Sequence, residues 1–204
     1  MISNNNIKLL LIVSLLLIYS CSYTYKVPIE YKPLNNVRKL PGAESVVVDV
    51  EVEDKREDKV VIGEFNTHNI ESDNDPIIVI ENSVKSELRR KGFKLANGNV
   101  LVKIQLINFT TRHVSDSFNA CESDLKWPNN VASIYLNINV YDVYGNEYYS
   151  NKIIKSSEEY YPGGSLWSKE ETYSKVLSTA IYSLIEDQNF INAINKASKK
   201  KGMG

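Results

Sequence analysis

The stretch from Val131 to Glu159 constrains the fold more than any other part of the chain. Ile134, Leu136, Ile138 and Val140 alternate with Tyr135, Asn137, Asn139 and Tyr141. That period of two belongs to a strand with one buried and one wet face. Gly145-Asn146 supplies a hairpin turn, and Glu147 to Glu159 returns as the partner strand. A long hairpin with one apolar face needs a second layer to cover it.

Two segments supply that layer. In the first, Asp75 is placed to cap a helix that opens on Pro76 and carries Ile77, Ile80, Val84 and Leu88 at helical spacing. Lys85, Arg89, Arg90 and Lys91 suit its C-terminal end, where the helix dipole favours cations, and Gly92 can end it in the left-handed conformation. In the second, Ser168-Lys169-Glu170-Glu171 reads as a capping box. Tyr173, Val176, Leu177, Ala180, Ile181, Leu184 and Ile185 then form one broad apolar face. Asp187 caps a short last helix with Phe190, Ile191 and Ile194.

Further strands are read at Val46–Val52, at Val60–Phe65 and from Val100 to about Thr111. Residues 112–130 have no period, and Tyr161-Pro162-Gly163-Gly164 breaks the chain. The expected fold class is α+β: a two-layer sandwich, with a mostly antiparallel sheet and two main helices on one face.

The N-terminus is a secretory leader. Leu9–Tyr19 is apolar except for Ser14, and these 11 residues are short of the roughly 20 that a spanning helix needs. Ile18, the small Ser20 and then Cys21 look like a bacterial lipobox, with cleavage between Ser20 and Cys21 and lipid (palmitate among its acyl chains) on Cys21. An ordinary signal peptide with a chance cysteine is the plainer reading. Lipid on Cys21 would anchor the chain without a spanning helix. Ser22, which is not aspartate, favours sorting to the outer membrane. The expected layout is a signal peptide at 1–20, a lipidated tether at 21–42, one domain at 43–197 and a basic tail at 198–204. Pro28, Pro33 and Pro41 mark the tether, and about 20 flexible residues would span about 25 Å and let the domain stand off the membrane. Tyr23, Tyr25 and Tyr31 would sit at the lipid or pack on the domain.

Without residues 1–20 the chain keeps 23 of its 24 Lys and Arg and all 25 Asp and Glu, a formal charge of −2. That balance argues against nucleic acid as a partner. Only Cys121 then remains, which excludes an internal disulfide and leaves an inert thiol or a bridge between chains.

The leader, the proline-bearing tether, Val46-Val47-Val48-Asp49-Val50 running into Asp54-Lys55-Arg56, the segment Val84–Phe93 and the closing segment Val176–Ile194 together resemble the YajG-like family of Gram-negative outer-membrane lipoproteins. The resemblance implies location and fold, and it brings no catalytic residues.

The residues offer little chemistry. His68 and His113 have no metal-ligand spacing around them, and there is no nucleophile elbow, phosphate loop or Cys-x-x-Cys. Glu122 and Asp124 beside Cys121 would raise its thiol pKa, the wrong direction for a nucleophile. Glu71, Asp73 and Asp75 lack the glycine and distal glutamate of a calcium loop. Gly163-Gly164 lacks a nucleotide-loop lysine. No catalytic, cofactor or metal residue is expected. Tyr135, Tyr141, Tyr148 and Tyr149 read either as cross-strand pairs or as an aromatic surface for peptidoglycan or an envelope protein. The expectation is a non-catalytic binding or scaffolding module facing the periplasm. One alternative is an accessory subunit of an envelope transport or assembly machine. The other is a glycan-acting enzyme using Asp142 with Glu158 and Glu159.

Overall fold

The long hairpin is the spine of the molecule. In the computed structural model, which describes residues 24–33, 35, 37–65, 68–114, 129–160 and 167–199, its strands are β7 (Asn129–Asp142) and β8 (Glu147–Tyr160). Ahead of them lie β1 (Tyr25–Val27), β2 (Val47–Asp54), β3 (Val61–Phe65), β4 (His68–Ser72), helix α1 (Pro76–Lys91), β5 (Lys94–Leu95) and β6 (Val100–Val114). Helices α2 (Trp167–Ile185) and α3 (Gln188–Ser198) close the chain.

The fold is α+β, with a mixed, mostly antiparallel sheet packed against three helices. β6 pairs antiparallel with β7 along its whole length, and β7 pairs antiparallel with β8. The other edge of β6 is divided. Its first half, Val100–Leu106, pairs parallel with β2, and Thr111 pairs with Gly63 of β3. A register shift between Leu106 and Asn108 separates the two halves. The sheet therefore forks beyond β6. One branch ends in β2 and β5, the other in β3, β4 and β1.

The alternation read from the sequence is borne out. Ile134, Leu136, Ile138 and Val140 are fully buried, as are Val48, Val102, Ile104 and Leu106 on the same face. The whole apolar face of α2 from Tyr173 to Ile185 is buried against it. Each such side chain contributes about 1.5–3 kcal/mol by leaving water. The caps are also as expected. Asp75 accepts from the Ile77 amide (2.9 Å), Asp187 from the Asn189 amide (2.8 Å), and Gly92 ends α1 at φ 106°. Helix α2 begins at Trp167, one residue ahead of the expected cap Ser168, whose side chain lies outside the described residues.

Three strands have no counterpart in the sequence reading, and one of them corrects the tether. Residues 25–32 are strapped to the body. β1 pairs parallel with β4, and the Asp73 amide donates to the Val27 carbonyl (3.0 Å). Asn74 closes a two-way clasp on Ile29: its Oδ1 accepts from the amide (3.0 Å) and its Nδ2 donates to the carbonyl (2.8 Å). Ser174 and Ser178 of α2 accept from the amides of Glu30 and Lys32, each at 3.0 Å. Val27 and Ile29 keep 3% and 1% of their surface. Two buried side chains at about 1.5–3 kcal/mol each hold the strap down, so it does not behave as a flexible spacer. Both ends of the segment expected as loop at 112–130 are strand as well. β6 runs to Val114 and β7 starts at Asn129, because ladder hydrogen bonds continue beyond the apolar pattern. Helix α3 extends through Ser198 into the segment expected as a tail, and residues 200–204 lie outside the described ones.

Candidate functional site

The turn of the β7–β8 hairpin is built around one carboxylate. Oδ1 of Asp142 accepts from the amides of Tyr144 (2.9 Å) and Asn146 (3.0 Å), and Oδ2 accepts from Asn146 Nδ2 (2.8 Å) and the Tyr148 hydroxyl (3.2 Å). The Gly145 amide returns to the Asp142 carbonyl (3.0 Å), at a φ of 81° that suits glycine. Loss of hydration pushes the Asp142 carboxyl up, and the bonds from Asn146, Tyr144 and Tyr148 outweigh it and hold the group below the usual carboxylate range. Val143 and Tyr144, 57% and 73% exposed, stand out from this scaffold. A rigid turn thus presents an aromatic and an aliphatic side chain to solvent.

The four tyrosines proposed as one surface do not form one. Tyr135 and Tyr141 lie on the sheet face away from the helices, Tyr135 level with Asn108 and with the 67%-exposed Ile154. Burial, and then the charge and hydrogen bond of Glu147, raise the Tyr141 phenol above its ordinary value. Tyr149 is on the helix face. Its hydroxyl donates to Asp187 Oδ2 (2.7 Å), and its ring meets Phe190 edge-on at 5.6 Å. Tyr148 is folded onto Asp142. Val140 pairs with Tyr149 and Tyr141 with Glu147, so Tyr148 is the extra residue of a bulge, and both Tyr148 and Tyr149 pack against the buried core. The pair is thereby parted from Tyr135 and Tyr141 on the opposite face.

The acids weighed as a catalytic group are far apart. Asp142 ends β7 at the turn, whereas Glu158 pairs with Val131 near the other end of the hairpin. At about 3.3 Å per residue that is roughly 36 Å, against the ~5–9.5 Å that separates paired glycosidase carboxylates. Asp142 is in any case committed to its turn.

An open cleft of about 630 Å³ lies where β2 ends, next to the start of α1, lined by Asp54, Arg56, Lys59, Asp75 and Ile77 among others. The buried guanidinium of Arg56 forks onto Asp54 (3.0 and 2.8 Å) and donates to the Lys59 carbonyl (2.8 Å). Desolvation pushes the Asp54 carboxyl up, and Arg56 reverses that and holds it low. This pair fixes the loop after β2. Sequence reading missed Arg56, because the charged run 54–58 looks like a solvated loop. Among the described residues no group of three or more His, Cys, Asp or Glu could hold a metal. Ser20, Cys21, Cys121 and Gly163-Gly164 lie outside the described residues, as does the side chain of His113.

Residues 34–127 match the model of a family described as an uncharacterized lipoprotein. The match begins beyond Cys21 and is independent of the leader. A lipoprotein family implies attachment to a membrane through lipid. The chain's sequence matches no curated protein. Its fold is similar to that of a Xanthomonas campestris protein of the DUF330 family, with TM-score 0.57, 12% identity, and 85% of this chain and 99% of that one covered. It is also similar to a Helicobacter pylori homolog of a neuraminyllactose-binding hemagglutinin, with TM-score 0.52, 14% identity, and coverage of 84% and 98%. A minor lipoprotein from Acinetobacter baumannii aligns at TM-score 0.46 and 10% identity over 72% of this chain and 94% of its own. At such identities the likeness concerns the fold alone.

Proposed function

We propose that this chain is a YajG-like lipoprotein of the Gram-negative outer membrane, anchored through Cys21 and facing the periplasm, that binds an envelope protein and catalyses no reaction. One observation carries the binding role: the Asp142 turn holds Val143 and Tyr144 exposed on a rigid support. An exposed apolar pair on a pre-ordered turn loses little entropy when it enters a partner's pocket. The lipoprotein family match and the lipobox support the anchor.

The test is a photo-crosslinking residue at position 144 of the full chain in cells, followed by mass spectrometry. One abundant protein adduct, absent when the probe sits at exposed Lys152 instead, supports the reading. Adducts that are the same from both positions would overturn it. Peptidoglycan turned over by the purified protein would favour the enzyme reading instead.

A further inference from the structure

We propose that the bilayer itself is the partner of one end of the sheet, the end where β1 begins, and that the protein lies against the membrane with its hairpin turn pointing away. The inference rests on the proposed lipid at Cys21 and adds an orientation to it. Its basis is the length of chain between the anchor and the strap. Thr24 is the first described residue and Tyr25 already pairs with Ile70. From Cys21 to Tyr25 an extended chain covers at most about 14 Å, at about 3.3–3.6 Å per residue. The headgroup layer takes up about 5–7 Å of that. Tyr25 therefore stands no more than about 9 Å clear of the headgroups, less than the thickness of one helix.

The register defines which end this is. Tyr25, Ile70, Gly63, Thr111, Ala132 and Ser157 form one row across the sheet. β1 runs parallel to β4, β4 antiparallel to β3, and β3 parallel to β6. The start of β1 therefore points the same way as the end of β6, the start of β7 and the end of β8. Val100, paired with Asp142, lies at the other end of β6, roughly 36 Å from the Thr111 row at about 3.3 Å per residue. Tyr144 is carried beyond that point, out of reach of the headgroups.

The experiment uses the full acylated protein in phosphatidylethanolamine–phosphatidylglycerol vesicles that carry a quencher on the headgroup. Cys121→Ser removes the remaining thiol, and a fluorophore is placed by Lys26→Cys, Glu171→Cys or Tyr144→Cys, all exposed positions. Glu171 lies in the first turns of α2, two residues before Tyr173, whose hydroxyl reaches Thr111 of that row, and it serves should the label at 26 disturb β1. The labels at 26 and 171 are expected to lose most of their emission, and the label at 144 to keep it. Inserting twenty Gly/Ser residues after Ser22 should restore emission at 26 and 171. Mass spectrometry of the N-terminal peptide separates the two failures. An unmodified Cys21 overturns the anchor and the orientation with it. An acylated Cys21 with equal quenching at all three sites, or with no release on insertion, overturns the orientation alone.

Discussion

The Tyr173 hydroxyl lies 2.8 Å from Oγ1 of Thr111 and joins α2 to the middle of the sheet. The same hydroxyl donates to the carbonyl of Ile62 (2.6 Å), so Thr111 is the donor in their bond. Burial pushes the Tyr173 phenol far above its ordinary value, and the Thr111 bond offsets this in part. The contact stands where the sheet forks, and it ties β3, β6 and α2 together. Tyr173→Phe leaves the Ile62 carbonyl without this donor, and should cost about 1–3 kcal/mol in urea unfolding. Full retention of the midpoint would show that water replaces the hydroxyl.

Alkaline pH should unfold the protein partly through Tyr149. Burial, and then the bond to Asp187, push its phenol up to about 12 from an ordinary 10. A folded-state value above the unfolded one means that the stabilisation is complete below pH 10. It is lost as pH rises through about 12, because the unfolded chain gives up that proton first. Tyr149→Phe should be less stable at pH 7 and lose less between pH 10 and 12. Parallel decline in both proteins, followed by circular dichroism, would point to Tyr173 as the main source.

The two faces of β7 should respond differently to truncation. Ile138→Ala empties a fully buried site and should cost about 2–5 kcal/mol. Tyr141→Ala removes cross-strand contact on the wet face and should cost about 1 kcal/mol or less. Equal losses in denaturant titration would mean that a second buried layer covers the tyrosine face.

Gly98 is tight for a reason outside its own conformation. A Cβ there would lie 2.3 Å from the Val47 carbonyl oxygen and 2.5 Å from its carbon, and both are backbone atoms. Val47 pairs with Lys94 of β5, so it cannot retreat without breaking that pairing. Gly98→Ala should cost about 1–3 kcal/mol as overpacking and should expose the β5 edge to hydrogen exchange. Unchanged exchange at Lys94 and Ala96 would show that the turn shifts and the strand stays.

Features written in local periodicity were legible in the sequence. The Asp75 and Asp187 caps, the Gly92 stop, the face of α2 and the alternation of β7 each depend on residues a few positions apart. What stayed hidden depends on distant partners. β4, His68-Asn69-Ile70-Glu71-Ser72, has one apolar residue and no pattern; its place comes from pairing with β3 and β1. Tyr25-Lys26-Val27 precedes a proline and looks like linker, yet Ile29 finds its clasp in Asn74, 45 residues on. The four tyrosines share one hairpin, yet Tyr148 and Tyr149 pack on the core while Tyr135 and Tyr141 face away, and the bulge responsible shows only in the pairing of β7 with β8.

The strap has a mechanical consequence. β1 runs along the long axis of the hairpin, so tension between a lipid at Cys21 and a partner held at Tyr144 would pull it lengthwise past β4. Lengthwise sliding must break the rungs of the ladder together with the Asn74 clasp, whereas sideways peeling would open them one at a time. A short strand mounted in this direction is a shear joint, suited to carrying load between the proposed lipid and a partner gripped at the turn.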